Sequence, residues 1–138
     1  MNTIWIRTIC FCVVLLLGLS GLALASYSIP QESIDEQRIF YGSALNFAQP
    51  ASVDYQKVVR STPEYNEIRD KRIENGTARY WILMSEASNH AVQLISSVGK
   101  ESDYDIIVAN GYLEGLEEPI ETVDVTELVL KKLEERQK

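Results

Sequence analysis

Residues 77–98 read TARYWILMSEASNHAVQLISSV, and this stretch decides the fold. Trp81, Met84, Ser88, Ala91, Ile95 and Val98 recur three and four apart, the spacing of a helical seam like that of a short coiled coil. Ile82, Leu83, Val92 and Leu94 widen the apolar face beyond a two-helix seam, so the helix must bury more than one side. Gly99 supplies a stop. Immediately upstream, Ser61-Thr62-Pro63-Glu64 places a hydroxyl cap before a first-turn proline and an acid. A helix over 63–74 is predicted, with Tyr65, Ile68 and Arg72 on one face. Asn75-Gly76 breaks it, and an antiparallel helical hairpin over 63–98 results. Asn75-Gly76-Thr77 also has the form of a glycosylation sequon, for which a tight turn is the better explanation.

Beyond Gly99 the period changes. Tyr104-Asp105-Ile106-Ile107-Val108-Ala109 is a short β-branched run that reads as a buried strand. Asn110-Gly111 predicts a turn into a second, antiparallel strand near 112–114. A loop follows over 115–119, then a little extended chain over 120–123. Asp124-Val125-Thr126-Glu127 caps a terminal helix over 125–136 that buries Val125, Leu128, Val129 and Leu133. Lys131, Lys132, Arg136 and Lys138 gather at its end, where they complement the helix dipole. On the other side of the hairpin, Ala51–Tyr55 reads as a strand entered through Pro50, followed by a helical turn over 56–60. Residues 26–49 form a polar leader. Ser33-Ile34-Asp35-Glu36 has the spacing of a capping box, so a short helix over 34–41 ending at Gly42 is expected, unless the leader stays irregular until it packs. The fold class is α+β.

The first 25 residues have another purpose. Arg7 precedes an apolar run from Ile9 to Leu17, and Ala23-Leu24-Ala25 stands before Ser26. One positive charge, a short apolar core and a small-x-small site predict a secretory signal cleaved near Ala25-Ser26. An uncleaved anchor is the alternative. After cleavage the exported chain is Ser26–Lys138. It lacks Cys10 and Cys12 and carries 12 basic and 20 acidic residues. Such a chain is a poor binder of nucleic acid, whose phosphates call for Lys and Arg, and of anionic lipid. Its one histidine, His90, sits inside a helical pattern. A zinc site or a Ser-His-Asp triad has too few side chains to draw on, and no glycine-rich phosphate loop is present. No catalytic, cofactor-binding or metal-binding residue is therefore assigned, and no enzyme activity is expected.

Two flanks of the hairpin resemble one family. Val53-Asp54-Tyr55-Gln56-Lys57-Val58-Val59, with Ser61-Thr62-Pro63-Glu64-Tyr65 after it, looks like the opening of the Skp (OmpH-like) periplasmic chaperones. Tyr104-Asp105-Ile106-Ile107-Val108 and Asp124–Leu133 look like the same family's closing strand and helix. The likeness spans roughly Val53 to Leu133. It implies a homotrimer with a small body of strands and terminal helices, and projecting helical hairpins that hold unfolded outer-membrane proteins in the periplasm. Two departures stand out. The longer helix here spans only about 33 Å, and the chain is acidic where the family is basic. On this reading the client surface is Trp81 and Met84, guided by Arg69, Arg72 and Arg79. The competing assignment for Trp81 and Met84 is the seam of the hairpin itself. The competing function is a structural or adaptor protein that binds a folded partner.

Overall fold

The computed structural model describes residues 25–138, so the apolar leader segment expected to be a signal lies outside the described residues. Two 3-10 turns, Gln31–Ser33 and Glu36–Arg38, precede strand β1 (Ile39–Gly42). Then come β2 (Pro50–Val53), α1 (Tyr55–Ser61), α2 (Pro63–Asp70), α3 (Ala78–Glu101), β3 (Ile106–Ala109), β4 (Val123–Asp124) and α4 (Thr126–Gln137). The strands form one mixed sheet in the order β1-β3-β2-β4. β1 runs antiparallel to β3 with a bulge between Ile39 and Tyr41, while β2 runs parallel to both β3 and β4. The chain is α+β.

Alternation along β3 splits the core in two. Ile107, with Ala51 and Val53, faces Val58, Ala91, Leu94, Ile95, Val129 and Leu133 of the helices. Ile106 and Val108 face the opposite way, onto Ile29, Phe47, Tyr112, Leu113 and Ile120. Both faces of the sheet are covered, which is why β3 is apolar at three successive positions, Ile106, Ile107 and Val108.

The leader is part of this structure. The expected helix over 34–41 is replaced by a 3-10 turn and β1. Asp35 caps only that turn, its carboxylate accepting the Gln37 N–H at 3.1 Å. Tyr41 then pairs with Ile107 of β3, and the bulge at Phe40 lets both Phe40 and Tyr41 pack against the helical core. The expected strand over 112–114 is also corrected. Gly111 takes φ +76°, Tyr112 N–H bonds Ala109 C=O, and Gly115 N–H bonds Gly111 C=O. This coil buries the consecutive residues Tyr112 and Leu113, which a strand would point to opposite faces. The antiparallel neighbour of β3 comes from the leader instead.

The helical pair forms, but it does not project. α2 stops at Asp70, four residues short of the expected end. Arg72 takes φ +49°, its N–H bonds Arg69 C=O, and Ile73 N–H bonds Ile68 C=O. These are the two bonds of a Schellman stop, with Arg72 at the left-handed position that glycine usually fills. α3 runs past Gly99 to Glu101 because Gly99 marks a close approach: a Cβ there would lie 2.3 Å from the Tyr41 ring. The expected seam is right from Ala91 onward. In the first half of α3 the buried residues are Leu83 and Ala87, not Trp81 and Ser88. The reason is that α3 lies against α1, α2, α4 and the sheet rather than against one partner helix.

Candidate functional site

Three helices converge beside the first half of α3. Asp54 caps α1 through Lys57 N–H at 3.0 Å, and the helix presents Tyr55, Gln56, Val59 and Arg60 along one side. Thr62, fully buried, caps α2 and sets the position of Tyr65: its Oγ1 accepts the Tyr65 N–H and donates to Val59 C=O at 2.7 Å. Thr77 caps α3 by accepting the Tyr80 N–H at 3.2 Å. Tyr55, Tyr65 and Tyr80, with Met84, Val59 and Ser88, line a groove of ≈ 350 Å³ whose polar edge is Gln56 and Arg60. Tyr55 stacks on Phe40 with ring centroids 4.9 Å apart. Trp81 stands edge-on to Tyr80 at 5.3 Å and is 60% exposed. A depression of ≈ 410 Å³ lies between residues 26–30 and 116–120, and a smaller one of ≈ 170 Å³ between α3 and α4. Neither gathers aromatic side chains as the tyrosine groove does.

The five residues singled out from the sequence do not form one surface. Met84 lines the groove and Trp81 lies beside it. Arg79 is two residues from Trp81, and two helical steps turn its side chain about 200° away. It reaches Glu67 of α2 at 2.5 Å, and Lys71 reaches the same carboxylate at 3.0 Å. Arg79 first, then Lys71, hold Glu67 below the usual carboxylate range. Arg69 contacts Asp70 at 3.1 Å. Arg72 is the helix stop described above. The cations therefore belong to the far edge and the end of the α2–α3 pair, while the aromatic groups face α1. Sequence reasoning missed Tyr55 and Tyr80 as site residues and read Tyr65 as packing. The available signal was that each lies in the first turn of a capped helix: Tyr55 directly after Asp54, and Tyr65 and Tyr80 three residues after the caps that their own N–H groups bond.

His90 is half-buried, and its Nδ1 lies 3.1 Å from Glu64 Oε2. The pair joins α3 to α2 as a structural clamp, in keeping with the helical setting read from the sequence. Among the described residues no group of three or more His, Cys, Asp or Glu side chains could hold a metal ion, and no helix is long and apolar enough to cross a membrane. No family model, curated protein or solved structure matches this chain.

Proposed function

We propose that this chain is an exported binding protein that holds extended segments of unfolded polypeptide in the tyrosine groove, as a small chaperone of the Skp kind. The observation that carries the proposal is the convergence of Tyr55, Tyr65, Tyr80 and Met84 in one open groove. Aromatic rings offer large apolar area with few rotors to freeze, and a thioether adapts to irregular side chains. Such a lining suits ligands that share little sequence. Gln56 and Arg60 add polar contacts for a passing backbone or carboxylate.

One observation favours the adaptor reading instead. The C-terminal half of α3 lies on the sheet through Leu94, Ile95 and Val98, so the helical pair has no free length with which to surround a client. Aggregation assays separate the two. A holdase at a few-fold excess slows the light scattering of a diluted, urea-unfolded outer-membrane protein, and Met84→Glu or Tyr80→Ala removes most of that effect. No slowing at tenfold excess would sink the chaperone reading and leave the adaptor.

A further inference from the structure

The chain holds two Asn-Gly pairs, Asn75-Gly76 and Asn110-Gly111. In such a pair no Cβ keeps the glycine nitrogen from the asparagine side chain. That nitrogen can attack the side-chain carbonyl carbon, Cγ. A C–N bond forms, the side-chain amide leaves as ammonia, and a five-membered succinimide results. Water then opens the ring at either carbonyl, leaving aspartate or isoaspartate. Water is the only other reactant. The backbone must also turn at the asparagine until the nitrogen meets Cγ, so what holds each pair decides its fate. Both asparagines are exposed, and access does not separate them. Asn75 and Gly76 are the middle residues of the turn that joins α2 to α3. One backbone bond closes that turn, from Thr77 N–H to Glu74 C=O at 3.4 Å. Gly76 has φ +91°, with nothing within 4 Å of where a Cβ would stand. Among the described residues no hydrogen bond ties the Asn75 side chain or the Gly76 N–H. Asn110 is held at several points. Its N–H bonds Val53 C=O at 3.1 Å, and its side-chain amide lies against the Asp124 carboxylate. Tyr112 N–H bonds Ala109 C=O at 3.1 Å, and Gly115 N–H bonds Gly111 C=O at 3.2 Å. Tyr112 and Leu113 are buried just beyond, so turning the backbone at Asn110 would pull them from the core.

We propose that Asn75 is a self-modifying site: in the folded protein it converts through the succinimide to isoaspartate and aspartate while Asn110 persists, and isoaspartate at 75 loosens the start of α3. The selectivity follows from the cost of opening each turn. An exposed turn closed by one long hydrogen bond opens far more often than a coil anchored by buried side chains. The loosening follows from the cap. Isoaspartate routes the backbone through the former side chain and so adds one carbon between Glu74 and Thr77. Thr77 grips Glu74 C=O twice, by its N–H at 3.4 Å and by its hydroxyl at 2.9 Å. The same hydroxyl accepts the Tyr80 N–H at 3.2 Å. A longer link between Glu74 and Thr77 cannot keep both grips, and the cap slackens. Tyr80 stands on that first turn, so the change reaches one wall of the tyrosine groove. The chemistry itself is independent of what the groove holds.

The test ages the purified, folded chain for several weeks at neutral pH and body temperature, then maps its peptides by mass spectrometry. The peptide with Asn75 gives two products, each heavier by the exchange of NH2 for OH, and isoaspartate is the larger. The peptide with Asn110 converts at least about tenfold more slowly, because its coil must open first. In concentrated urea, where no fold protects either site, the two peptides convert at similar rates. Gly76→Ala, which puts a Cβ beside the attacking nitrogen, slows conversion at Asn75 several-fold. The isoaspartate form, separated by ion exchange, shows amide exchange at Tyr80 several-fold faster than Asn75→Gln aged alongside it. Equal rates at the two sites in the folded chain, conversion at Asn110 alone, aspartate at 75 without isoaspartate, or unchanged exchange at Tyr80 each overturns the proposal.

Discussion

Three backbone positions with positive φ make opposite demands. Gly42 has φ +87°, and a Cβ there would stand 2.0 Å from the carbonyl oxygen of Asp105. Gly76 has φ +91° and open space around it. Gly42→Ala is therefore expected to destabilise the protein by about 2–3 kcal/mol or more, through crowding against backbone as well as the left-handed twist. Gly76→Ala costs only the twist, about 1 kcal/mol. Arg72 works the other way: it occupies a left-handed helix stop without glycine's freedom. Arg72→Gly should raise stability by up to about 1 kcal/mol, and chemical denaturation of the three variants checks the order. Thr62 is buried and makes both of its hydroxyl contacts inside the protein. Thr62→Val removes a cap and strands the Tyr65 N–H, at a cost of about 1–2 kcal/mol. Asp124 gives a pH signature. Its carboxylate accepts the Thr126 N–H at 2.8 Å, and Thr126 chiefly, with Asn110 and Lys57 contributing, holds its pKa below the ordinary value. A depressed folded-state pKa adds stability that is present above the unfolded value, near 4. That contribution is lost as pH falls through the folded value. Asp124→Asn should therefore flatten the acid limb of the stability–pH curve below about pH 4, measured by urea titration.

At the scale of elements, α3 is the axis of the structure. Its inner face meets every other helix and the sheet, and its outer face is free. Leu94→Ala should cost about 2–5 kcal/mol, as for a fully buried side chain. Trp81→Ala should change stability by less than about 1 kcal/mol while weakening whatever the groove holds. Thermal melts of the two variants give that contrast. The helices were legible in the sequence because their caps are local: Asp54, Thr62 and Thr77 each bond an N–H three residues on. β2, β3 and α4 were legible too, from short apolar runs and an apolar stripe, although of the four residues expected to be buried in α4's stripe Leu128 is 46% exposed. What could not be read locally was decided at a distance. The Asn110-Gly111 pair marks a turn, but whether a hairpin follows depends on whether β3 has a free edge. Its two edges are taken by β1 and by β2, both more than 50 residues earlier. The early end of α2 was missed because its stop uses Arg72 in a role that sequence patterns assign to glycine. The groove was half legible. Met84 and Trp81 were found by their apolar character, whereas the tyrosines became a site only once three caps aimed them together.

For the whole molecule, the leader is the element whose place changes the picture most. Tyr112 donates its hydroxyl proton to Ser33 C=O at 2.7 Å and accepts the Asp35 N–H at 2.7 Å, with Arg38 over its ring. Asp105 accepts the N–H groups of Ala48 and Gln49 at 2.8 and 2.9 Å. Tyr112→Phe should therefore loosen residues 31–38 without unfolding the helical core, seen as faster amide exchange confined to the leader and the 112–120 coil. The sheet order itself has a kinetic consequence. Its second strand from the edge, β3, is held between β1 and β2, yet it is made more than 50 residues after either of them. Until residue 106 arrives, β1 and β2 have no partner between them, and the apolar side chains of the leader have no surface to cover. Such a chain must stay loose until β3 is made and then close its sheet in one late, long-range step, which is slow by the logic of contact order. A protein proposed to shelter other unfolded chains is thus, by its own topology, a chain that needs shelter while it is being made.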